Sequence, residues 1–226
     1  MNERSVSVGQ SILAESASRA EEFRARMTEA GTFVVNLMSS PGSGKTSLLE
    51  ATAQRLGDTY RLACLVGDIA TNRDSDRLRR YMPAVQLTTG GACRLEPPLV
   101  EAGFQKLGLD QPADFLFIEN VGNLVCPASF DLGEHMRIVV LAVTEGDDKP
   151  SKYPKAFRTS TACVLSKIDL LPYVPFQIDS AIADARSIRP DLEFFPLSAI
   201  SGKGLDFWLN ALIHYRNSRI LNGCTK

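Results

Sequence analysis

The residues whose types and spacing most clearly indicate a chemical role form one segment, SSPGSGKT from Ser39 to Thr46. This segment follows the apolar run Phe33–Met38 and begins a stretch whose apolar residues have helical spacing. Glycines permit a tight turn and a helix N-terminus presents unpaired N–H groups, so this order is typical of a phosphate-binding P-loop. Lys45 would neutralise the outer phosphates, and the Thr46 hydroxyl would hold Mg²⁺. The strict pattern has glycine where this chain has Ser39. We predict a nucleoside triphosphate site with contacts from Gly42, Ser43, Gly44, Lys45, Thr46 and Ser47.

Acidic residues that follow apolar runs supply the second set of candidates. Glu119 ends such a run, with Gly122 three residues further on, an arrangement that would orient the Mg²⁺ shell and sense the γ-phosphate. Asp68 follows another run and would also serve Mg²⁺ or its waters. Asp74 would position the attacking water, because no glutamine follows Gly122; the alternative is that Asp74 caps the helix 76–81.

The segment from Ser166 to Asp169, Ser-Lys-Ile-Asp, predicts which base is bound. The Asp169 carboxylate would accept hydrogen bonds from N1–H and N2–H₂ of guanine, and the Lys167 stem would cover the ring. Adenine offers no such pair of donors, so the expected nucleotide is GTP. Ser166 replaces the usual asparagine, which we expect to weaken base affinity. Backbone N–H groups of Ser198 and Ala199 would contact the guanine oxygen.

Composition excludes several other classes of protein. The 226 residues carry a formal net charge of -1, which gives no electrostatic reason to expect nucleic acid. No apolar run is long enough for a membrane span, and the first residues lack a signal-peptide core. Five cysteines without CxxC pairs do not form a disulfide framework, so a reducing cytoplasm is the expected setting.

Strand-like and helical segments alternate along the chain, which predicts an α/β fold of the P-loop NTPase kind with a mostly parallel sheet and helices on both faces. An N-terminal helix, expected over Ser11–Ala30, precedes the first strand. Residues 1–31 would be a helical extension and residues 32–226 a P-loop GTPase domain. Further strands are expected at 61–66, 85–89, 115–119, 138–143, 162–166 and 193–197, and helices at 46–56, 73–81, 95–102, 178–188 and 204–217.

Several segments together resemble one family. They are the P-loop, the stretch from Gly67 to Cys93, Glu-Asn-Val-Gly-Asn-Leu-Val-Cys-Pro from Glu119, Asp-Leu-Gly-Glu from Asp131, Thr-Glu-Gly-Asp-Asp-Lys-Pro from Thr144, and Ser-Lys-Ile-Asp-Leu-Leu-Pro-Tyr from Ser166. They are similar to the nickel-insertion GTPases of hydrogenase maturation, the HypB type. The resemblance implies slow GTP hydrolysis coupled to nickel delivery to the large subunit of a NiFe hydrogenase. It also implies a homodimer formed on GTP or metal binding and a partner nickel metallochaperone of the HypA kind.

In that family a Cys-His pair and a later cysteine ligate metal across a dimer interface, and the resemblance carries the two cysteines onto Cys93 and Cys126. Arg94 stands where the histidine would be, and it has no lone pair to offer. Two protomers would still supply four thiolates for Ni²⁺ or Zn²⁺. The alternative is that both cysteines are ordinary small residues and that metal binding has been lost. The family also suggests that Lys149 lies near the partner's nucleotide; the alternative is a solvated charge.

Three other functions stay open at this point: a P-loop small-molecule kinase, a GTP-switched scaffold without metal, and a urease-accessory-like nickel GTPase, although its Cys-Pro-His motif is missing here. Hydrolysis should be slow without a partner, because the chain has no obvious arginine finger or catalytic glutamine. The remaining candidates have structural interpretations. Cys64, Cys163, Trp208 and Phe207 are expected in the core, His135 at a structural or exposed position, His214 at the surface and Cys224 in the tail.

Overall fold

The computed structural model describes residues 3–68 and 72–221, with side chains from 14 to 68 and from 72 to 220. Cys224 and residues 69–71 of the Gly67–Arg77 segment lie outside this range. The strands are β1 (Phe33–Ser39), β2 (Leu62–Asp68), β3 (Ala84–Thr88), β4 (Phe115–Gly122), β5 (Met136–Ala142), β6 (Ala162–Ser166) and β7 (Glu193–Pro196). The helices are α1 (Glu3–Glu29), α2 (Lys45–Leu56), α3 (Arg73–Leu78), α4 (Pro97–Leu107), α5 (Lys149–Lys152), α6 (Pro154–Thr159), α7 (Ile178–Ile188) and α8 (Leu205–Arg216).

All seven strands form one parallel sheet in the order β3-β2-β4-β1-β5-β6-β7. The two central strands pair with Phe33 opposite Phe115 and Leu37 opposite Glu119, and after an irregularity Ser39 lies opposite Gly122. Because parallel strands end at the same edge, this register places the P-loop and the end of β4 side by side. The α/β class predicted from the sequence is confirmed.

Both faces of the sheet are covered by helices. Side chains alternate along β1, so Phe33, Val35 and Leu37 pack toward α2, α3 and α8, where Trp208 is fully buried. The Trp208 ring donates its N–H to Thr52 Oγ1 at 3.0 Å, which satisfies the one polar atom that its burial would otherwise leave unpaired. The opposite face packs against α1, α4, α6 and α7.

Several predicted boundaries differ from the observed ones. Helix α1 begins at Glu3 instead of Ser11, α3 ends at Leu78, and α4 runs from Pro97 to Leu107 because proline is well suited to a first helical turn. The short helices α5 and α6 were not predicted. The core assignment of Phe207 was wrong: its side chain lies in the first turn of α8 with 77% of its surface exposed. Across the described ranges, none of the helices has the length and apolar character that crossing a membrane requires.

Helix α1 is fixed to the domain near its C-terminal end. Phe23 is fully buried and meets the Phe104 ring edge-on, with centroids 5.7 Å apart. Arg24 donates to both carboxylate oxygens of Asp131 at 2.6 Å and to the Glu134 carbonyl at 3.1 Å. Gly133, which lies between Asp131 and Glu134 in the chain, has a φ of +83°. It lies so close to α1 that an added Cβ would be 2.6 Å from the Ala20 carbonyl oxygen. A glycine is therefore required where the helix crosses this loop.

We predict that Gly133→Ala destabilises the protein more than Gly108→Ala does. Both glycines have positive φ, but an added Cβ at Gly108 meets nothing within 4 Å. The control should lose only the cost of the left-handed backbone, about 1–2 kcal/mol. Gly133→Ala should lose at least ~1 kcal/mol more, because α1 must shift. Urea unfolding measures both, and equal losses would show that α1 does not press on Gly133.

Candidate functional site

The P-loop links β1 to α2 and takes its shape from two glycines. Gly42 and Gly44 have φ of +74° and +93°, a region that other residues rarely adopt. Gly44 is the N-cap of α2, so Lys45 and Thr46 lie in the first turn of that helix. This geometry presents the helix N-terminus to the cavity above it, as an anion site requires.

A cavity of about 450 Å³ lies over the P-loop, a size suited to a small-molecule ligand. It brings together most of the residues predicted for phosphate and Mg²⁺, which belong to four separate elements. Its lining includes Gly42 to Ser47, Asp68, Asp74, Arg77, Glu119 to Gly122, and Lys167.

Lys45 is the buried cation of the cavity. Its ammonium group donates to Ser39 Oγ at 2.7 Å. Burial lowers the pKa of Lys45, against the opposing effect of nearby carboxylates, of which Glu119 is the strongest. Ser39, where the strict pattern has glycine, thus provides a hydrogen-bond acceptor for this lysine.

Thr46 and Glu119 form the other half of the buried polar group. The Thr46 hydroxyl donates to Glu119 Oε1 at 2.7 Å, and Glu119 Oε2 is buried without a hydrogen-bond partner among the described residues. Burial raises the pKa of Glu119 from 4.5 to about 7. Two ligands of one Mg²⁺ at 2.0–2.1 Å lie about 2.9 Å apart when they are adjacent in the octahedron, so this pair fits the ion. The unpaired oxygen is an atom that a cation would satisfy.

Two further carboxylates border the cavity. Asp68 is the last residue of β2, at the edge where ligands meet a parallel sheet. Asp74 lies in the first turn of α3, whose N-cap is Asn72, so the alternative that Asp74 caps a helix over 76–81 is wrong. The side chain of Arg77 pairs with Asp74 at 3.5 Å and with Glu50.

Arg77 was not predicted as part of this site. Its Nη2 donates to Ser47 Oγ at 3.1 Å and to Glu50 of α2. It thereby holds α3, and with it Asp74, against the helix that follows the P-loop. The spacing of Asp74 and Arg77, three residues apart on one helix, was the available signal.

Gly122 ends β4 directly beside the P-loop. A Cβ at this position would lie 3.1 Å from the Cα of Pro41, which is tighter than nine in ten real Cβ contacts. The chain that would sense a terminal phosphate therefore packs directly on the loop that would bind it.

The residues predicted to recognise the base line a neighbouring cavity of about 280 Å³, together with Leu170, Leu197 and Ile200. Lys167 lies two residues before Asp169. Its backbone is left-handed, with φ of 61°, and its Nζ donates to the Gly42 carbonyl at 2.7 Å. The Ser198 N–H donates to the Lys203 carbonyl, which leaves the Ala199 N–H as the donor for a base.

Ser166 has a supporting contact. Its hydroxyl donates to the Ser43 carbonyl at 2.6 Å, joining the end of β6 to the P-loop. Because serine makes this link, the replacement of asparagine does not leave the loop unsupported.

Glu145 and Lys149 provide another support that the sequence did not reveal. Glu145 Oε1 accepts from the Ser43 hydroxyl at 2.7 Å and from the Ala142 N–H at 3.1 Å. Lys149 Nζ lies 3.4 Å from Glu145 Oε2 and 3.4 Å from Ser40 Oγ. Within the chain, Lys149 is therefore not a solvated loop charge, because it contacts the chain's own P-loop.

Cys93 and Cys126 lie together although they are 33 positions apart in the chain, with their Sγ atoms 2.6 Å apart. Both are half-buried, on the loop after β3 and just before the 3₁₀ turn Pro127–Ser129. Cys93 raises the pKa of the Cys126 thiol by hydrogen bonding to it, while Asn123 acts in the opposite direction. Of the residues that the structure describes, no cluster contains three potential histidine, cysteine or carboxylate ligands. One chain thus offers two sulfur donors.

The Arg94 side chain contacts Phe130 and Glu96 and does not serve as a metal ligand. Its guanidinium lies 4.1 Å from the centroid of the Phe130 ring and donates from Nη2 to Glu96 Oε1 at 2.7 Å. The positive charge remains near the thiols and lowers the pKa of Cys126 in part.

Of the remaining cysteines and histidines, those within the described residues match their structural interpretations. Cys64 and Cys163 are fully buried in strands, and burial raises the pKa of each thiol. His214 is exposed. His135 accepts from the Val34 N–H at Nδ1 and lies 2.9 Å from Thr28 Oγ1 at Nε2. Burial lowers its pKa to about 4, so it is neutral and its ring nitrogens are both occupied.

Comparison with known proteins identifies the family. Residues 33–196 match the CobW/HypB/UreG nucleotide-binding domain. The chain is 48% identical over 202 residues to the hydrogenase maturation factor HypB of Escherichia coli (strain K12), covering 89% of this chain and 69% of the relative. It is 46% identical over 219 residues to the same factor of Azotobacter chroococcum mcd 1, covering 96% and 71%.

The chain belongs to the HypB family of hydrogenase maturation factors. The crystal structure of HypB from Helicobacter pylori in complex with nickel is similar throughout, with a TM-score of 0.87, 40% identity and coverage of 91% of this chain and 97% of that one. The resemblance to the HypB type that the motifs predicted is confirmed, and so is the P-loop fold.

Glu119 makes the stability of this HypB-family domain depend on pH. Its raised pKa means that the stability it contributes is present below about pH 4.5 and lost as the pH rises toward 7, because the folded protein retains a proton that the unfolded chain releases. Glu119→Gln should therefore melt several degrees above wild type at pH 8 without ligand, and the difference should shrink toward pH 5. Roughly 1 kcal/mol corresponds to about 2–4 °C in a domain of this size.

Differential scanning fluorimetry measures this, with Glu29→Gln, an exposed carboxylate on α1, as the matched control. Mg²⁺ with nucleotide should stabilise wild type more at pH 8 than at pH 6, whereas Glu119→Gln should lose that gain. A variant with the pH profile of wild type would contradict the assignment of Glu119 as the buried titrating group.

Proposed function

We propose that this HypB-family protein is a GTP-hydrolysing metallochaperone that holds nickel at Cys93 and Cys126 and releases it for hydrogenase maturation in the cytoplasm. The observation that carries the proposal is the position of Cys126, four residues beyond Gly122 on the segment that borders the nucleotide cavity. The same short stretch of chain would therefore meet both the terminal phosphate and the metal.

In this proposal the P-loop and Lys45 bind the phosphates of GTP, and Asp169 with the Ala199 N–H recognises guanine. Mg²⁺, held by Thr46, Glu119 and Asp68, would neutralise the phosphate charge. Asp74 would orient the water that attacks the γ-phosphorus as the bond to the β-phosphate oxygen breaks, giving GDP and inorganic phosphate. Electrostatic positioning by these groups is the catalytic contribution that phosphoryl transfer requires.

The metal part of the proposal rests on the contact between two thiols and on the further ligands that a metal ion held by them would need. Two donors do not complete the four-coordinate sites that Ni²⁺ and Zn²⁺ take with thiolates, so a second copy of the chain would supply the other two. The H. pylori relative, a HypB in complex with nickel, favours Ni²⁺ as the cargo. A HypA-like metallochaperone and the hydrogenase large subunit would be the source and the recipient.

A second candidate function has one observation in its favour. Arg94 places a fixed charge beside the thiols and ligates nothing, as expected of a GTP-switched scaffold that no longer handles metal. The contact between the two thiols favours the metallochaperone, because lost metal binding would remove the reason to keep both sulfur atoms together.

For the nucleotide, Asp169→Asn should weaken GDP binding at least about 100-fold, since guanine would lose its acceptor for two donors. The same variant should gain affinity for xanthosine diphosphate, whose ring has a carbonyl where guanine has the amino group. Fluorescent-nucleotide competition measures both, with Asp179→Asn on α7 as the control. ATP competing as well as GTP in wild type would favour the kinase alternative.

For the metal, wild type should bind Ni²⁺ with thiolate-to-nickel absorption and form dimers, whereas Cys93→Ala and Cys126→Ala should lose both. Cys163→Ala, a buried cysteine in β6, should behave as wild type. The titration is run with GDP and with a non-hydrolysable GTP analogue, and gel filtration with light scattering reports the mass.

Arg94→His adds an imidazole donor at the position of the family histidine, so it should tighten Ni²⁺ binding by at least about tenfold, or roughly 1.4 kcal/mol. Tighter binding together with the losses in the cysteine variants supports the metallochaperone. If wild type binds no Ni²⁺ and Arg94→His restores binding, the scaffold function is the better description.

A further inference from the structure

Asn123 lies between the glycine that borders the nucleotide cavity and the segment that ends in Cys126. Both the nitrogen and the oxygen of its side-chain amide form hydrogen bonds. Nδ2 donates to the Cys93 carbonyl at 3.4 Å, and Oδ1 accepts from the Val125 N–H at 2.8 Å. One amide therefore ties the loop of the first cysteine to the segment of the second.

The backbone of Asn123 reaches the P-loop. It forms an isolated antiparallel bridge with Ser39, the first residue of the phosphate-binding segment. Its N–H donates to the Val121 carbonyl at 2.7 Å, which holds the turn at Gly122 tight. Leu124, the next residue, is buried in the core, so the turn has little freedom to absorb a shift.

Nucleotide binding would have to change a hydrogen bond of Ser39. In this structure its hydroxyl accepts from Lys45 Nζ, the ammonium group predicted to bind the outer phosphates. An ammonium drawn toward phosphate would weaken its bond to Ser39, so this contact of the residue that bridges to Asn123 would differ between the empty and the nucleotide-bound protein. A contact that changes with the nucleotide is the kind of element through which two sites can be coupled.

We propose that Asn123 is the positioning residue that makes the spacing of Cys93 and Cys126 depend on the bound nucleotide. The inference rests on the proposed function, in which the two thiols hold nickel, and adds what links them to the P-loop. An amide suits the position because it donates to one loop and accepts from the other, whereas aspartate keeps only the acceptor and alanine keeps neither.

The test compares Ni²⁺ affinity with GDP and with a non-hydrolysable GTP analogue, followed by thiolate-to-nickel absorption. Wild type should show a difference of about fivefold or more, the usual lower range of coupling between sites. Asn123→Ala should still bind Ni²⁺, since both thiols remain, but its two affinities should agree within about twofold. Asn123→Asp should lose the coupling as well, because its donor to the Cys93 loop is gone. Asn210→Ala, an exposed asparagine on α8, should retain the wild-type difference.

A second readout needs no metal. The alkylation rates of Cys93 and Cys126, followed separately by peptide mass spectrometry, should depend on the nucleotide in wild type and not in Asn123→Ala. Binding of a fluorescent GDP confirms that each variant is folded; if Asn123→Ala fails that check, Asn123→Asp decides.

The outcomes separate the inference from the proposed function. If wild type binds nickel with nucleotide dependence and Asn123→Ala retains it, the inference is wrong and the metallochaperone stands. If wild type binds no nickel but its alkylation responds to nucleotide only when Asn123 is present, the inference holds and nickel handling fails. If neither readout responds to nucleotide in wild type, there is no coupling for Asn123 to carry and the inference is overturned.

Discussion

The parallel pairing of β1 with β4 is the constraint on which the rest of the site depends. With Leu37 opposite Glu119 and Ser39 opposite Gly122, the two strands end together, and the loops that leave them share one edge of the sheet. A slip of one residue would turn the Glu119 side chain to the other face of the sheet, away from Thr46. The apolar residues of both strands, buried on two faces, make such a slip costly, so the hydrophobic core sets the geometry of the polar site.

The same register creates an electrostatic problem that the ligand would resolve. Lys45 and Glu119 are buried together, and burial shifts the pKa of each group toward its neutral form. Ser39 and Thr46 satisfy part of this pair, while Glu119 Oε2 has no partner in the part of the chain that the structure describes. A polyphosphate and a divalent cation bound together would suit this site, because the two would bring opposite charges to opposite ends of the pair.

Site residues could be predicted from the sequence where they belong to one continuous motif, and not where they depend on contacts between distant segments. The P-loop, the strand ending at Glu119 and the Ser166–Asp169 segment are continuous motifs, so spacing alone placed them and the fold followed. The contacts of Arg77, Glu145 and Asn123 join segments between 27 and 102 residues apart, and no periodicity reports such pairs. Phe207 and Trp208 were both assigned to the core, yet neighbouring residues on a helix point in directions about 100° apart. Only Trp208 faces the sheet.

The proposed metal site at Cys93 and Cys126 has suitable donor atoms but too few of them in one chain. Thiolates suit soft metal ions, but two of them leave such an ion half coordinated, and Arg94, where the family resemblance implied a third donor, is held on Phe130. A guanidinium near two thiolates also offsets part of the negative charge that four thiolates from two chains would bring together. In the proposed metal site Arg94 would therefore contribute charge balance in place of a ligand, which would suit binding of the metal in one nucleotide state and its release in the other.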